Sequence, residues 1–252
     1  MFHVKHRKGD TLANGVEEES VRIARLASEM GHTITPERSA TLLAHLDAVL
    51  EANRRINLTA ITDRTEAISL HVVDSLAILG LLDEQHLPIA DIGSGAGFPG
   101  IPISISGGIP VDLVESVKKK ALFLSECVLA LGGLHGSQVI PLRAEELARE
   151  RPAGYGCVVA RALCSLPSLV ELASPLLRKG GFLVAMKGSP TPAERQEGAN
   201  AGQLVGMREV DWREYRLPDS GERRTLVRYL RSGPSQIDLP RRTGLAQRRP
   251  LS

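Results

Sequence analysis

The stretch that most constrains the fold is a glycine-rich loop that follows a short apolar run. Residues 89–92 are Ile-Ala-Asp-Ile, and residues 93–100 then hold four glycines in eight positions. Because glycine has no side chain, such a loop lets backbone N–H groups approach a ligand closely. In open α/β sheets, nucleotides bind at the carboxyl ends of the strands, where a loop of this kind lies. The loop therefore predicts an α/β protein that binds an adenosine-containing cofactor.

The composition is that of an ordinary globular chain, and it argues against several function classes. Of 252 residues, 42% are hydrophobic and 24% are charged, whereas aromatic residues make up only 3%. Scarce aromatic residues argue against RNA-binding modules that stack bases on exposed rings. The three cysteines form no CxxC pair, and no apolar run reaches about 18 residues. We therefore expect no metal site, no disulfide framework and no membrane segment, and we expect a monomeric cytoplasmic protein.

Changes in charge and in the spacing of apolar residues divide the chain into four parts. Residues 1–15 form a basic N-terminus whose order the sequence leaves open, and residues 16–83 have the apolar spacing of a helical layer. Strands alternate with helices through residues 84–232, which is typical of a mostly parallel sheet with helices on both faces. Residues 233–252 form a basic C-terminal tail.

The alternating part predicts a seven-stranded, mostly parallel sheet. The expected parallel strands cover residues 87–92, 110–115, 138–142, 157–161 and 182–187. The expected helices cover residues 117–131, 145–150 and 167–178. Residues 204–217 and 225–231 are expected to close the sheet as antiparallel strands. Residues 188–203 are expected to be a loop that holds at most a short helix, and residues 232–252 are expected to be irregular.

The C-terminal end concentrates positive charge in a chain whose net charge is only +2. Residues 223–252 contain eight arginines and a single acid, Asp238. Such an end is either a solvated tail or an arm that contacts phosphate groups. The candidates for phosphate contact are Arg241, Arg242, Arg248 and Arg249.

The glycine loop fits two cofactor classes. It carries a GxGxG pattern from Gly93, two residues after Asp91, and, from Gly95, the GxGxxG spacing of a dinucleotide-binding loop. Glu115 lies 20 residues beyond Gly95, where a carboxylate can accept hydrogen bonds from two ribose hydroxyls. Both NAD and S-adenosylmethionine contain such a ribose, so the glycine pattern alone leaves both open.

Three neighbouring features favour S-adenosylmethionine. Pro99 and Pro102 interrupt the segment that should run smoothly into a helix facing a pyrophosphate. The Asp91 carboxylate could bind the ammonium group of a methionine moiety, and it would repel a pyrophosphate. The acidic turn at Arg143-Ala144-Glu145-Glu146 could cover the edge of an adenine, although Glu145 and Glu146 also simply favour the start of a helix.

At this point the residues resemble the GidB/RsmG family over about residues 54–252. The resemblance rests on several short motifs that occur in the family's order. They are Asn57-Leu58-Thr59, His71-Val72-Val73-Asp74-Ser75, Asp91 to Pro102, Arg143-Ala144-Glu145, Arg161-Ala162, Met186-Lys187-Gly188, Pro240-Arg241-Arg242-Thr243-Gly244 and Arg248-Arg249-Pro250-Leu251.

The resemblance implies a Rossmann-like methyltransferase fold and a specific reaction. The reaction is transfer of a methyl group from S-adenosylmethionine to N7 of a guanine in the 530-loop region of bacterial 16S rRNA. The partner is then 16S rRNA or the small ribosomal subunit. By resemblance, the cofactor-binding positions are Gly93, Phe98, Ala144, Glu145 and Arg161. The expected fold adds Asp91, Gly95, Gly97 and Glu115.

Guanine N7 has an in-plane lone pair and no proton, so its attack on a sulfonium methyl needs no base. The protein must mainly position the reactants. Arg161 and Lys187 follow the fourth and fifth strands, and we expect them to position cofactor or substrate. The alternative for each is an ion pair within the fold.

Two other function classes remain open from the sequence. The glycine spacing and Glu115 also fit an NAD(P)-dependent oxidoreductase. A non-catalytic rRNA-binding assembly factor with a vestigial pocket is the third possibility.

Overall fold

A computed structural model of the protein describes residues 8–251, so the first seven residues of the expected basic N-terminus lie outside the described residues. The first part of the described chain is a helical layer. Thr35 caps the helix that begins at Pro36 by accepting a hydrogen bond from the Arg38 N–H, and Asp63 caps the helix that begins at Arg64 by accepting one from the Glu66 N–H. The layer consists of α1 (Lys8–Glu29), α2 (Pro36–Asn53), α3 (Arg64–Ala67), a π-helical segment (Ile68–Val73) and α4 (Asp74–Leu76).

The second part is a seven-stranded sheet. Its strands are β1 (Ile89–Ile92), β2 (Val111–Val114), β3 (Val139–Ile140), β4 (Tyr155–Arg161), β5 (Leu177–Lys187), β6 (Met207–Arg216) and β7 (Arg223–Arg231). They lie in the order β3-β2-β1-β4-β5-β7-β6. The first five strands pair in parallel, and β7 pairs antiparallel with both β5 and β6. The chain reverses its direction of strand addition between β1 and β4, as in Rossmann-like folds. The expected Rossmann-like class and the seven mostly parallel strands are confirmed.

Helices cover both faces of the sheet, and the sheet separates two apolar cores. The helices that follow the helical layer are α5 (Gly100–Gly107), α6 (Lys118–Ala130), α7 (Ala144–Glu150), α8 (Leu166–Ala173), α9 (Pro192–Val205) and α10 (Leu245–Arg248). The helical layer, α5 and α6 pack on one face, and α7, α8 and α9 pack on the other. Of the described helices, none is long and apolar enough to cross a membrane.

Helix α9 is longer than the sequence predicted, because a loop with at most a short helix was expected over residues 188–203. Thr191 caps this 14-residue helix, and Pro192 follows it, which repeats the start signal of α2. Gly198 and Gly202 lower the helix propensity and hide the signal. Both glycines are needed for packing, because a Cβ would lie 2.7 Å from the Tyr229 hydroxyl at one and 2.8 Å from the Met207 carbonyl oxygen at the other.

The basic C-terminal tail packs against the domain. Arg241 forms a bidentate ion pair with Glu171 of α8, at 2.7 Å from Nε and 2.5 Å from a terminal nitrogen. Ala246 is buried, and its carbonyl oxygen accepts a hydrogen bond from the Ser168 hydroxyl at 2.8 Å. The Gly244 N–H donates to the Glu145 carboxylate at 2.6 Å. The tail is mostly irregular, as expected, but it is anchored to both α7 and α8.

We expect the Arg241–Glu171 pair to contribute strongly to stability. The side chain of Glu171 is only 3% exposed, so R241A leaves a buried carboxylate without its counter-charge. Breaking such a pair typically costs roughly 3 kcal/mol. The expected result in urea denaturation is therefore a loss of about 3 kcal/mol in the free energy of unfolding for R241A. R242A, at the exposed neighbour, should change it by less than about 0.5 kcal/mol. Equal, small losses for both variants would contradict a structural role for the pair.

Candidate active site

A cavity of about 740 Å³ opens at the carboxyl ends of β1, β2, β4 and β5. This edge of the sheet lies at the point where the strand order reverses, which is where open α/β sheets bind their ligands. The loop after β1 forms one wall, and the helical layer contributes the wall opposite the sheet. Of the expected site residues, the cavity lining includes Gly93, Gly95, Phe98, Glu115, Arg161 and Lys187.

The glycine loop adopts a conformation that favours glycine. Gly93, Gly95 and Gly97 have φ angles of 73°, 57° and 92°. A Cβ on Gly93 would lie 2.5 Å from a methyl carbon of Leu163. One on Gly97 would lie 2.5 Å from a methyl carbon of Ile101, which follows the loop, and 3.0 Å from Nε2 of His45 on α2. Gly97 thus allows the loop to pack closely on its neighbours, and it is not among the residues that line the cavity.

Asp91 lies beneath the loop rather than on the cavity wall. Its side chain is fully buried, and one carboxylate oxygen accepts a hydrogen bond from the Gly100 N–H at 3.0 Å. The other oxygen has no partner among the described residues. Burial raises the pKa of Asp91 to about 7, against the opposing effect of the Gly100 hydrogen bond. This position differs from the expected contact with a methionine ammonium, and it makes Asp91 an anchor of the loop.

The position of α5 changes the interpretation of Pro99 and Pro102. Helix α5 begins at Gly100, directly after Pro99, and Pro102 lies within its first turn, where backbone N–H groups have no partner within the helix. The prolines therefore do not interrupt the helix. A pyrophosphate is instead disfavoured by Asp91, because its carboxylate already accepts the Gly100 N–H at the N-terminus of α5.

Glu115 is placed to hold a ribose. One of its carboxylate oxygens accepts a hydrogen bond from the Gly95 N–H at 3.0 Å, and the other accepts one from the Val117 N–H at 2.7 Å. Each oxygen of a carboxylate can accept a second hydrogen bond. The two backbone contacts thus fix the carboxylate against the glycine loop and leave it able to accept from a ribose diol.

Ala144 and Glu145 line a smaller adjoining cavity of about 50 Å³, which shares Gly93 and Leu163 with the main one. Because Glu145 already accepts the Gly244 N–H, it links this corner to the C-terminal tail. Gln247 of the tail lines both cavities, a role that the sequence did not reveal. A residue from the chain end therefore lines the same corner as Ala144 and Glu145, to which the resemblance pointed.

Arg161 lies at the end of β4 and is the centre of a buried polar cluster. One terminal nitrogen donates to the Leu70 carbonyl oxygen at 3.0 Å and lies 3.4 Å from the Asp74 carboxylate. The other lies 3.1 Å from Nδ1 of His71, and the guanidinium carbon is 5.2 Å from the centre of the Phe98 ring. Burial lowers the pKa of Arg161, and Asp74 opposes that effect, so the side chain stays charged.

The cluster fixes the protonation of His71. Burial, followed by the charge of Arg161, lowers the pKa of His71 to about 3, so the ring is neutral near pH 7. An arginine can only donate, so Nδ1 of His71 accepts and the ring proton is on Nε2. Nε2 then donates to the hydroxyl oxygen of Thr59 at 2.7 Å.

Asp74 connects the helical layer to the antiparallel edge of the sheet. The Tyr215 hydroxyl donates to one carboxylate oxygen at 2.7 Å, and Nε of Arg224 lies 3.6 Å from the other. Tyr215 and Arg224 are direct cross-strand partners on β6 and β7. Neither was predicted as a site residue, because only this register brings them to Asp74.

The remaining expected residues have divided roles. Lys187 lines the cavity, but its ammonium is 2.8 Å from the Glu194 carboxylate and donates to the Cys164 carbonyl oxygen at 3.0 Å. Arg241 is held by Glu171, so its guanidinium is not available as part of a phosphate-binding arm. Arg242, Arg248 and Arg249 are exposed.

Comparison with known proteins identifies relatives of the chain. Among solved structures, the chain is similar to the antibiotic-resistance methyltransferase Kmr, with a TM-score of 0.47 and 17% identity, over 60% of this chain and 90% of that one. Among curated proteins, it is 38% identical to the ribosomal RNA small subunit methyltransferase G of Pelotomaculum thermopropionicum, over 89% of this chain and 95% of that protein. It is 39% identical to the protein of the same name from Deinococcus radiodurans, over 91% of each.

The family comparison covers most of the chain. Residues 38–220 match the model of the family GidB, described as rRNA small subunit methyltransferase G. This range includes the glycine loop, the Arg161 cluster and the chain as far as the hairpin that joins the two antiparallel strands. The protein therefore belongs to the GidB family of small subunit rRNA methyltransferases.

Proposed function

We propose that the protein transfers a methyl group from S-adenosylmethionine to small subunit rRNA, at N7 of a guanine in the 530-loop region of 16S rRNA. The observation that carries the proposal is a cavity at the point where the strand order reverses. Different sets of residues form the two ends of this cavity. A glycine loop and the Glu115 carboxylate form one end, and the Arg161 cluster forms the other. Family membership supports the activity, and the resemblance in sequence supports the target atom.

The residues of the cavity fit the cofactor. Glu115 can accept from a ribose diol, and the positive-φ glycines keep the loop wall free of side chains. The small cavity beside Ala144 and Gln247 offers an extension for the adenine end. Asp91 blocks the helix N-terminus at which a dinucleotide would place its pyrophosphate, which disfavours the oxidoreductase alternative. When bound, S-adenosylmethionine supplies a methyl group activated by a sulfonium.

The chain needs to hold the target base rather than remove a proton from it. Guanine N7 attacks with its own lone pair, so alignment and the local field account for the catalysis. Positive charge passes to the purine in this reaction, and a nearby unpaired cation would oppose it. Arg161 and Lys187 are both paired with carboxylates, Asp74 and Glu194. These pairs let both cations position ligands with less repulsion of the developing charge.

The surroundings of the cavity suit an RNA partner. Lys120 and Arg143 line its mouth, and Arg143 directly precedes α7. The tail lies against α7 and brings exposed Arg242, Arg248 and Arg249 to the same side of the domain. We call this set, from Lys120 and Arg143 to the three tail arginines, the basic rim. Its cations would contact phosphates and orient the RNA, without reading its sequence.

We expect calorimetry to detect binding of S-adenosylmethionine and of its demethylated product, and no binding of NAD. We also expect transfer of labelled methyl groups to small subunit RNA. Naked 16S rRNA and assembled small subunits should be compared directly, since either is a possible substrate. Binding of NAD without S-adenosylmethionine would contradict the proposal. Cofactor binding with no methyl transfer to either RNA substrate would favour an assembly factor.

The basic rim should determine how RNA binding depends on salt. Reversing the three tail charges, in R242E/R248E/R249E, should weaken RNA affinity. The slope of log Kd against log salt should fall by roughly 0.7–0.9 for each phosphate group that the variant no longer neutralises. Affinity for the cofactor product should stay the same. The measurement is fluorescence anisotropy with labelled RNA over a series of salt concentrations.

The control is a variant with the same change in net charge at exposed arginines outside the basic rim. R25E/R54E/R208E fits this need, because the three positions lie on α1, next to α2 and on β6. An equal drop in the salt slope for both triple variants would mean that net charge, rather than the basic rim, governs binding.

A further inference from the structure

Thr59 lines the active-site cavity, and its hydroxyl oxygen already accepts two hydrogen bonds. The Ile61 N–H donates to it at 3.0 Å. Nε2 of His71 lies 2.7 Å away and carries the ring proton, because Nδ1 accepts from Arg161. A hydroxyl oxygen has two lone pairs, and both are therefore used.

The hydroxyl proton of Thr59 has no acceptor among the described residues. The Thr59 hydroxyl takes part in two hydrogen bonds in the described chain, and it is the acceptor in both. Since the residue lies on the cavity wall, its remaining O–H is available to a ligand in the cavity. Thr59 can thus donate a hydrogen bond to that ligand, but it has no lone pair left with which to accept one.

The backbone of Thr59 is held firmly in this position. Asn53, at the end of α2, accepts from the Leu58 N–H at 2.8 Å and from the Thr59 N–H at 3.0 Å. Its side-chain amide donates to the Thr59 carbonyl oxygen at 2.9 Å. One asparagine therefore fixes both backbone polar groups of Thr59, and the hydroxyl is a fixed donor rather than a mobile surface group.

We propose that the Thr59 hydroxyl donates a hydrogen bond to O6 of the target purine and so selects a 6-oxo purine over a 6-amino purine. Guanine presents acceptors at both N7 and O6, whereas adenine presents N7 beside an amino donor. A hydroxyl that can only donate forms a hydrogen bond with O6 of guanine. Opposite adenine, the hydroxyl faces the amino group, so that two donors meet without an acceptor. N7 stays open to the methyl group because the contact is made at the neighbouring oxygen. This proposal rests on the proposed methyl transfer.

The test combines changes in Thr59 with changes in the target base. Once the methylated nucleotide has been mapped with the unaltered protein, RNA is synthesised with guanine, 2-aminopurine or 2,6-diaminopurine at that position. The second base lacks O6, and the third has an amino group there. The protein variants are T59V, which removes the hydroxyl, and T59S, which keeps it. T41V removes a hydroxyl on α2 that donates to the Glu37 carbonyl oxygen and does not line the cavity.

We expect T59V to lower kcat/KM for the guanine RNA by about three- to tenfold, the effect of one neutral hydrogen bond. On 2-aminopurine RNA, T59V and the unaltered protein should differ by less than about twofold, because no O6 is present to accept. The low rate on 2,6-diaminopurine RNA should rise towards that on 2-aminopurine RNA in T59V. T59S and T41V should keep the base preference of the unaltered protein.

The affinity for the demethylated cofactor shows which of two ligands, the target base or the cofactor, accepts the hydrogen bond from Thr59. Equal cofactor affinity for T59V and the unaltered protein supports a contact with the base. A tenfold loss of that affinity with unchanged base preference would assign the hydroxyl to the cofactor carboxylate and overturn the proposal. An equal loss of rate on all three RNAs would also overturn it, by making Thr59 merely structural. If the unaltered protein methylates no small subunit RNA, the proposed function itself fails.

Discussion

The buried guanidinium of Arg161 is the group on which the rest of the site depends. It projects from the sheet, yet its partners belong mainly to the helical layer: the Leu70 carbonyl, the His71 ring and the Asp74 carboxylate. Its side chain is only 13% exposed, so these contacts replace the water that a charged group would otherwise hold. Arg161 therefore links the helical layer to the sheet. It also makes His71 accept at Nδ1 and donate from Nε2 to Thr59 on the cavity wall.

The glycine loop is held between the same two layers. From below, Asp91 accepts the Gly100 N–H, and from the helical layer the His45 ring bonds the Ala96 carbonyl oxygen at 2.9 Å. Burial lowers the pKa of His45 to about 4, so this ring is also neutral and donates from Nε2. The Phe98 ring lies between His45 and His71, with ring centres 4.6 and 4.8 Å away. The loop is thus a preorganised wall, and its shape depends on the N-terminal helices as much as on its glycines.

The sequence predicted local features well because they depend on nearby residues. The Thr35-Pro36 start of α2, the alternation of strands and helices and the Glu115 position 20 residues after Gly95 all follow from spacing. The sequence also predicted Arg161 as a site residue, and the structure places it on the cavity wall. The family motifs included Thr59 without indicating what it does. In contrast, the burial of Asp91 and the ion pair of Arg241 could not be predicted, because each depends on how distant elements pack. Tyr215 reaches Asp74 across 141 positions of the chain, and no local pattern encodes that contact.

The tautomer of His71 tests the role of Arg161 most directly. In nitrogen-15 NMR of histidine-labelled protein at about pH 6.5, the ordinary imidazole pKa, we expect a neutral His71 ring with its proton on Nε2 and a bare Nδ1. The signal is assigned with the H71N variant. The ring should remain neutral as the pH falls towards 5, because its pKa lies at about 3. A proton on Nδ1, or a charged ring near pH 6.5, would show that Arg161 does not set the hydrogen-bond chain and would contradict its central role in the site.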